Sequence, residues 1–101
     1  MKRGELWWAS LDKRRPVVLL SRDEAYAVRA LVTVAPVSTR IRGFAAEVRL
    51  GRREGLSKAC VANLDAVVTI PQRALLERIR SLSTHKIEEI NEALRFTLGL
   101  D

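Results

Sequence analysis

Short apolar runs that end in clusters of guanidinium or hydroxyl groups constrain this chain more than any other feature. Pro16-Val17-Val18-Leu19-Leu20-Ser21 is continuous, of strand length, and preceded by Arg14-Arg15. Such a run, bounded by charge, reads as a buried strand. Pro16 stands at its start, where a strand tolerates proline. Residues 30–37 are rich in β-branched side chains and read as another strand, with Pro36 marking an edge or bulge near its end. That strand leads into Ser38-Thr39-Arg40-Ile41-Arg42-Gly43. Residues 5–11 form an opening strand, which sets Trp7 and Trp8 on opposite faces. Asp12-Lys13-Arg14 reads as a polar turn, and residues 22–29 as a polar connection with room for a helical turn. Residues 45–50, 60–63 and 67–70 read as further strands, the first followed by the loop Gly51-Arg52-Arg53-Glu54-Gly55. Many short strands separated by turns specify a small barrel or sandwich.

The C-terminal third changes period. Pro71 suits a first helical position. Leu75, Leu76, Ile79 and Leu82 recur at helical spacing, while Arg78-Ile79-Arg80 alternates as a strand would, so both readings stay open there. Ser83 or Thr84 then caps an amphipathic helix whose apolar stripe is Ile87, Ile90, Ala93, Leu94 and Leu98, with Gly99 as its stop. Strands first and a helix last make the fold class α+β.

The 101 residues predict one domain, spanning 1–101. At 48% hydrophobic residues the chain can bury a core. A domain this small buries only roughly two-thirds of its unfolded surface, so pairing with a second copy would help it. No apolar run approaches the roughly 20 residues of a spanning helix, and the N-terminal residues carry no leader-like apolar region. Cys60 is the only cysteine, which precludes an internal disulfide and fits a reducing cytoplasm. Eighteen Lys and Arg against 12 Asp and Glu leave a net charge of +6. Such an excess favours a polyanionic partner, although it also serves solubility.

Familiar catalytic patterns are missing. The chain shows no Gly-rich phosphate loop, no Cys/His metal spacing and no nucleophile elbow, so neither a metal nor a cofactor is expected. His85 reads as a surface residue and Cys60 as a small core residue. One of Trp7 and Trp8 belongs in the core; the other, taken as Trp8, is available to stack a base or to pack between two copies. Arginine and hydroxyl groups remain. Arg15 beside a rigid strand can grip a phosphate bidentately. Ser38 and Thr39 close the other strand, with Arg40 and Arg42 next to them. Should these strand ends meet, they would bind a phosphodiester and stabilise charge on it in the transition state. RNA carries its own nucleophile, the 2′-hydroxyl. The plainer alternative is that Arg15 pairs with Asp12 or Glu47 and Ser38 satisfies a turn.

At these residues the chain resembles the MazF/PemK toxin family of toxin–antitoxin systems. The matching segments are Arg3-Gly4-Glu5-Leu6-Trp7-Trp8, Arg15-Pro16-Val17-Val18, Val34-Ala35-Pro36-Val37-Ser38-Thr39, Gly55-Leu56-Ser57, Ala62-Asn63-Leu64-Asp65 and the stretch from Ala93-Leu94 to Leu98-Gly99-Leu100. The resemblance implies an SH3-like barrel of the CcdB/MazF type with a C-terminal amphipathic helix, assembled as a homodimer. It also implies metal-independent, sequence-specific cleavage of single-stranded RNA, often mRNA, and inhibition by a cognate MazE-like antitoxin. On this reading Arg15 and either Ser38 or Thr39 are catalytic, and Arg14, Arg40, Arg42, Arg49 and Trp8 bind RNA. Two features depart from the family. Serine stands where the family has a threonine, and the loop before Arg-Pro is short, so that either Asp12 or Glu47 stands in for a glutamate proposed as general base or no carboxylate base is present. Two competing readings are a gyrase-poisoning toxin of the CcdB type and a barrel that binds nucleic acid without cutting it. The first relies on a tryptophan near the C-terminus, where this chain has none.

Overall fold

The computed structural model describes residues 1–100. Seven strands form a branched antiparallel sheet: β1 (Glu5–Ser10), β2 (Arg14–Leu19), β3 (Leu31–Ser38), β4 (Glu47–Leu50), β5 (Cys60–Asn63), β6 (Val68–Pro71) and β7 (Leu75–Ser81). A single helical turn, α1 (Ala25–Val28), links β2 to β3, and the long helix α2 (Thr84–Leu98) closes the chain. The strand order is β4-β5-β3-β2-β1-β7, with β6 also paired to β3. This is the α+β class read from the strand and helix pattern, in the barrel-like form that the family resemblance implied.

The sheet branches at β3. One edge of β3 pairs with β2; the other pairs first with β6, through Val34–Val68, and then with β5, from Val37–Ala62. Pro36 was expected near an edge or bulge, yet it lies inside the sheet at this change of partner. The Leu20 N–H donates to Thr33 O at 2.9 Å, which makes Leu20–Thr33 a hydrogen-bonded pair and, by alternation, Val17–Pro36 a non-bonded one. The proline nitrogen therefore points to the other edge, into the gap between the β6 and β5 ladders, where no bond is lost.

Two apolar clusters occupy the two faces. Leu6, Val18, Ala35, Val37, Val48, Ala62 and Leu64 pack with Ile90 and Ala93 of α2. Ala9, Val17, Leu19, Val32, Val34, Ile70 and Leu75 form the second cluster, with Trp7 packed against it. Glu5 is buried and ties β1 to β7: its carboxylate accepts from Trp7 Nε1 at 3.0 Å, the Lys2 amide at 3.1 Å and Arg78 Nε at 3.1 Å.

The open stretch at 75–82 is a strand, and Pro71 ends β6 ahead of a 3-10 turn at Gln72–Ala74 instead of starting an α-helix. Helical spacing there arises from two irregularities. Leu75 pairs with Ala9 but Glu77 with Trp8, and Arg78 pairs with Trp7 but Arg80 with Leu6, so Leu76 and Ile79 are extra residues. Each bulge resets the alternation, and Leu75 and Ile79 reach different clusters despite their even separation. Ser83 is the N-cap of α2, its Oγ accepting from the Lys86 amide at 3.1 Å, and Gly99 ends the helix at φ 68°. Leu98, assigned to the apolar stripe, is 62% exposed, because the last turn runs past the cluster that buries Ile90 and Ala93. Among the described residues, no helix is long and apolar enough to cross a membrane.

Candidate active site

The register draws the site residues into a row. Ser38 of β3 pairs with Val61 of β5, and Val61 with Arg49 of β4. Residues opposite one another in an antiparallel ladder share a face. The neighbouring row, Val37–Ala62–Val48, belongs to the cluster under α2, so Ser38, Val61 and Arg49 face the other way. On the opposite edge of β3 the ladder with β2 ends at Val17–Pro36; the same register carried two residues further would set Arg15 level with Ser38, on the same face. Strands lie about 4.8 Å apart, so the backbone of Arg49, two strands from Ser38, lies about 10 Å from it. A hydroxyl sits between two guanidinium-bearing strands.

Arg15 does not precede the strand, as expected, but lies within it, paired with Ala9 of β1. Its guanidinium grips Asp12 bidentately, Nε to Oδ1 at 3.2 Å and Nη2 to Oδ2 at 3.0 Å, while its side chain is only 23% exposed. Bonding to Arg15 holds the Asp12 carboxyl below its usual range. A phosphate presents the same paired oxygens as this carboxylate. The Ser38 Oγ accepts from the Arg40 amide at 3.1 Å. Both plainer roles weighed from the sequence are therefore real, with Asp12 as the partner of Arg15. They also hold the two groups in fixed orientations.

Glu47 does something else. Its Oε1 accepts from the amides of Arg42 at 3.0 Å, Gly43 at 2.8 Å and Phe44 at 3.4 Å. Partial desolvation works against the charge, but bonds from Gly43, Arg42 and Phe44 outweigh it and hold the carboxyl below its usual range. Gly43 adopts φ 81°, a left-handed conformation that lets successive amides converge on one anion.

Thr39, Arg40 and Arg42 lie on the exposed loop that follows β3. Arg14 and Trp8 are not brought to the row. They occupy the opposite face of β1 and β2, where the Arg14 guanidinium lies 4.5 Å from the Trp8 ring centroid and Nη2 lies 3.4 Å from Glu77. Trp7 is the tryptophan packed on the core. His85 is exposed beside Glu89, and Cys60 is buried, with its thiol pushed up by burial and by Glu54. Two features escaped the sequence reading: the clasp made by Glu47 and the exposed Phe44 that it positions. A glutamate shortly after a glycine-centred turn was the available signal.

Residues 2–98 match the family model described as PemK-like, MazF-like toxin of type II toxin–antitoxin system. The chain is 39% identical to a probable endoribonuclease MazF2 of Mycobacterium tuberculosis, with 98% of this chain and 99% of that protein covered. It is 37% identical to endoribonuclease MazF3 of the same species, covering 92% and 90%. Among solved structures, it superposes on the M. tuberculosis toxin MazF-mt6 with a TM-score of 0.92 at 35% identity, covering 96% and 98%. A MazE-MazF structure from Deinococcus radiodurans matches with a TM-score of 0.83 at 26% identity, covering 100% and 97%. The chain belongs to the PemK-like, MazF-like toxin family of type II toxin–antitoxin systems.

Proposed function

We propose that this protein is a sequence-specific endoribonuclease toxin that cuts single-stranded RNA, mRNA among it, without a metal ion. The observation that carries the reading is that Arg15, Ser38 and Arg49 fall on one face of the sheet, Ser38 and Arg49 in one row of it. Relatives named as endoribonucleases over almost the whole chain support it. Arg15 binds the scissile phosphate and stabilises its developing charge. Ser38 orients the phosphate or the 2′-hydroxyl, with Thr39 beside it. Arg49, Arg40 and Arg42 hold flanking phosphates. The 2′-oxygen bonds to phosphorus as its proton leaves, the bond from phosphorus to the 5′-oxygen breaks, and the 5′-oxygen takes a proton from solvent, giving a 2′,3′-cyclic phosphate and a 5′-hydroxyl.

Entry of a phosphate displaces Asp12 from Arg15. The freed carboxylate regains its ordinary proton affinity next to the 2′-hydroxyl and can take its proton. Glu47 is committed to backbone amides and is not available for this role. We assign the chain to a single domain acting in the cytoplasm as a homodimer, under the control of a MazE-like antitoxin; the MazE-MazF structure of a relative supports the antitoxin.

Purified protein incubated with mixed RNA in EDTA tests the reading. Fragments should share a short cut sequence and begin with 5′-hydroxyls, and a single 2′-deoxy substitution at the cut should protect the strand. Tight binding that leaves the RNA intact would instead favour a non-catalytic nucleic-acid-binding barrel.

A further inference from the structure

Phe44 is large, aromatic and 57% exposed, on a loop the sheet goes to some trouble to hold still. Glu47 clasps the amides of residues 42–44, and its own amide donates back to Phe44 O at 3.0 Å. The Arg42 guanidinium lies 6.0 Å from the Phe44 ring centroid. The position of this clasp follows from the ladders. Glu47 pairs with Asn63, two residues along from the Arg49–Val61 pair. Side chains two apart on a strand share a face, so the Glu47 side chain, which anchors the loop, is directed to the face of Ser38 and Arg49, one row over. Two residues span about 6.6 Å of strand. An exposed ring with a cation over one face, leaving the other face open, is thus carried by a loop anchored one row from Ser38 and Arg49.

We propose that Phe44 is a stacking platform for a base flanking the scissile phosphate, and that it contributes to the choice of cut sequence. The inference rests on the RNA-cleaving function proposed above. Arg42 and Arg40 supply positive charge to the backbone of that nucleotide, and the aromatic face takes its base, as in single-strand binding surfaces generally. The Glu47 clasp keeps the ring ordered before RNA arrives, which lowers the entropic cost of stacking.

The test uses full-length Phe44→Ala, Phe44→Leu and Phe44→Trp with a fluorescent, fully 2′-O-methylated single-stranded RNA that cannot be cut, alongside cleavable RNA. Alanine and leucine should each weaken binding about tenfold, the worth of one base–aromatic stack, while tryptophan retains it. In cleavage, KM should rise more than kcat falls, and base preference at one flanking position should relax. A 2-aminopurine at that position should be quenched by the wild type and not by Phe44→Ala. Wild-type affinity and an unchanged cut profile in Phe44→Ala would overturn the inference. So would a variant whose sole defect, by sedimentation, is loss of self-association, since Phe44 would then belong to an interface between copies. Failure of the wild type to cut any RNA would refute the proposed function instead, while the binding series would still decide the role of Phe44.

Discussion

Replacing Arg15 with alanine separates chemistry from folding more cleanly than any other single change. The ion pair contributes little to stability, because its partner Asp12 is open to solvent, and the main cost of truncation is the packing of the mostly buried Arg15 stem, about 1 kcal/mol. The melting temperature should therefore stay within about 4 °C of wild type. The loss for RNA is larger and has two parts. One phosphate contact disappears, which should lower the slope of log affinity against log salt by about 0.7. The other is a preorganised charged donor at the transition state, whose removal costs about 10²–10³ in kcat. Arg15→Lys divides the two effects: a lysine preserves the charge and most of the salt slope, but its single ammonium cannot reproduce the planar fork that matches Asp12. The assay is cleavage of a mapped oligonucleotide in EDTA across a salt series, with a thermal melt of each variant. A folded Arg15→Ala protein cutting within about threefold of wild type would refute the assignment, because no donor of this kind is worth so little.

Ser38→Ala should reduce kcat by about 10-fold or more while Thr39→Ala does not, since only Ser38 lies in the row with Arg49; single-turnover cleavage decides this, and the reverse order would move the site to the loop. Glu5 yields a pH prediction. Burial alone would raise its carboxyl, but bonds from Trp7, Lys2 and Arg78 hold it below its ordinary value of 4.5. A carboxyl depressed in the folded state contributes stability that is complete above the ordinary value and is lost as pH falls through the lowered one. Urea midpoints should therefore hold steady from neutral pH down to about 5 and then fall, with Glu5→Gln less stable at neutral pH and less sensitive to acid.

Much of the local structure was legible in the chain. Residues 60–63 read as a strand and form one, Ser83 and Gly99 bound α2, and Cys60 is buried. Each of these rests on a signal carried within a few residues: an apolar run, a capping hydroxyl, a left-handed stop. The failures share a different cause. Strand β7 hid behind two bulges, which are visible only against β1. Pro36 was mistaken for an edge because the branch at β3 depends on two distant partners. Arg14 was read as an RNA contact next to the catalytic Arg15, yet alternation within a paired strand sends the two to opposite faces.

By itself the sequence determined the strand-rich α+β class, the family and the residue types that could hold a phosphodiester, because these depend on local pattern and on motifs in order along the chain. Only the tertiary structure decided that Arg15, Ser38 and Arg49 share a face, that Asp12 occupies the guanidinium, and that Glu47 clasps a loop carrying Phe44. The physical reason is that a one-residue change of register moves every side chain of a strand to the other face. That register is set by contacts between segments far apart in the chain.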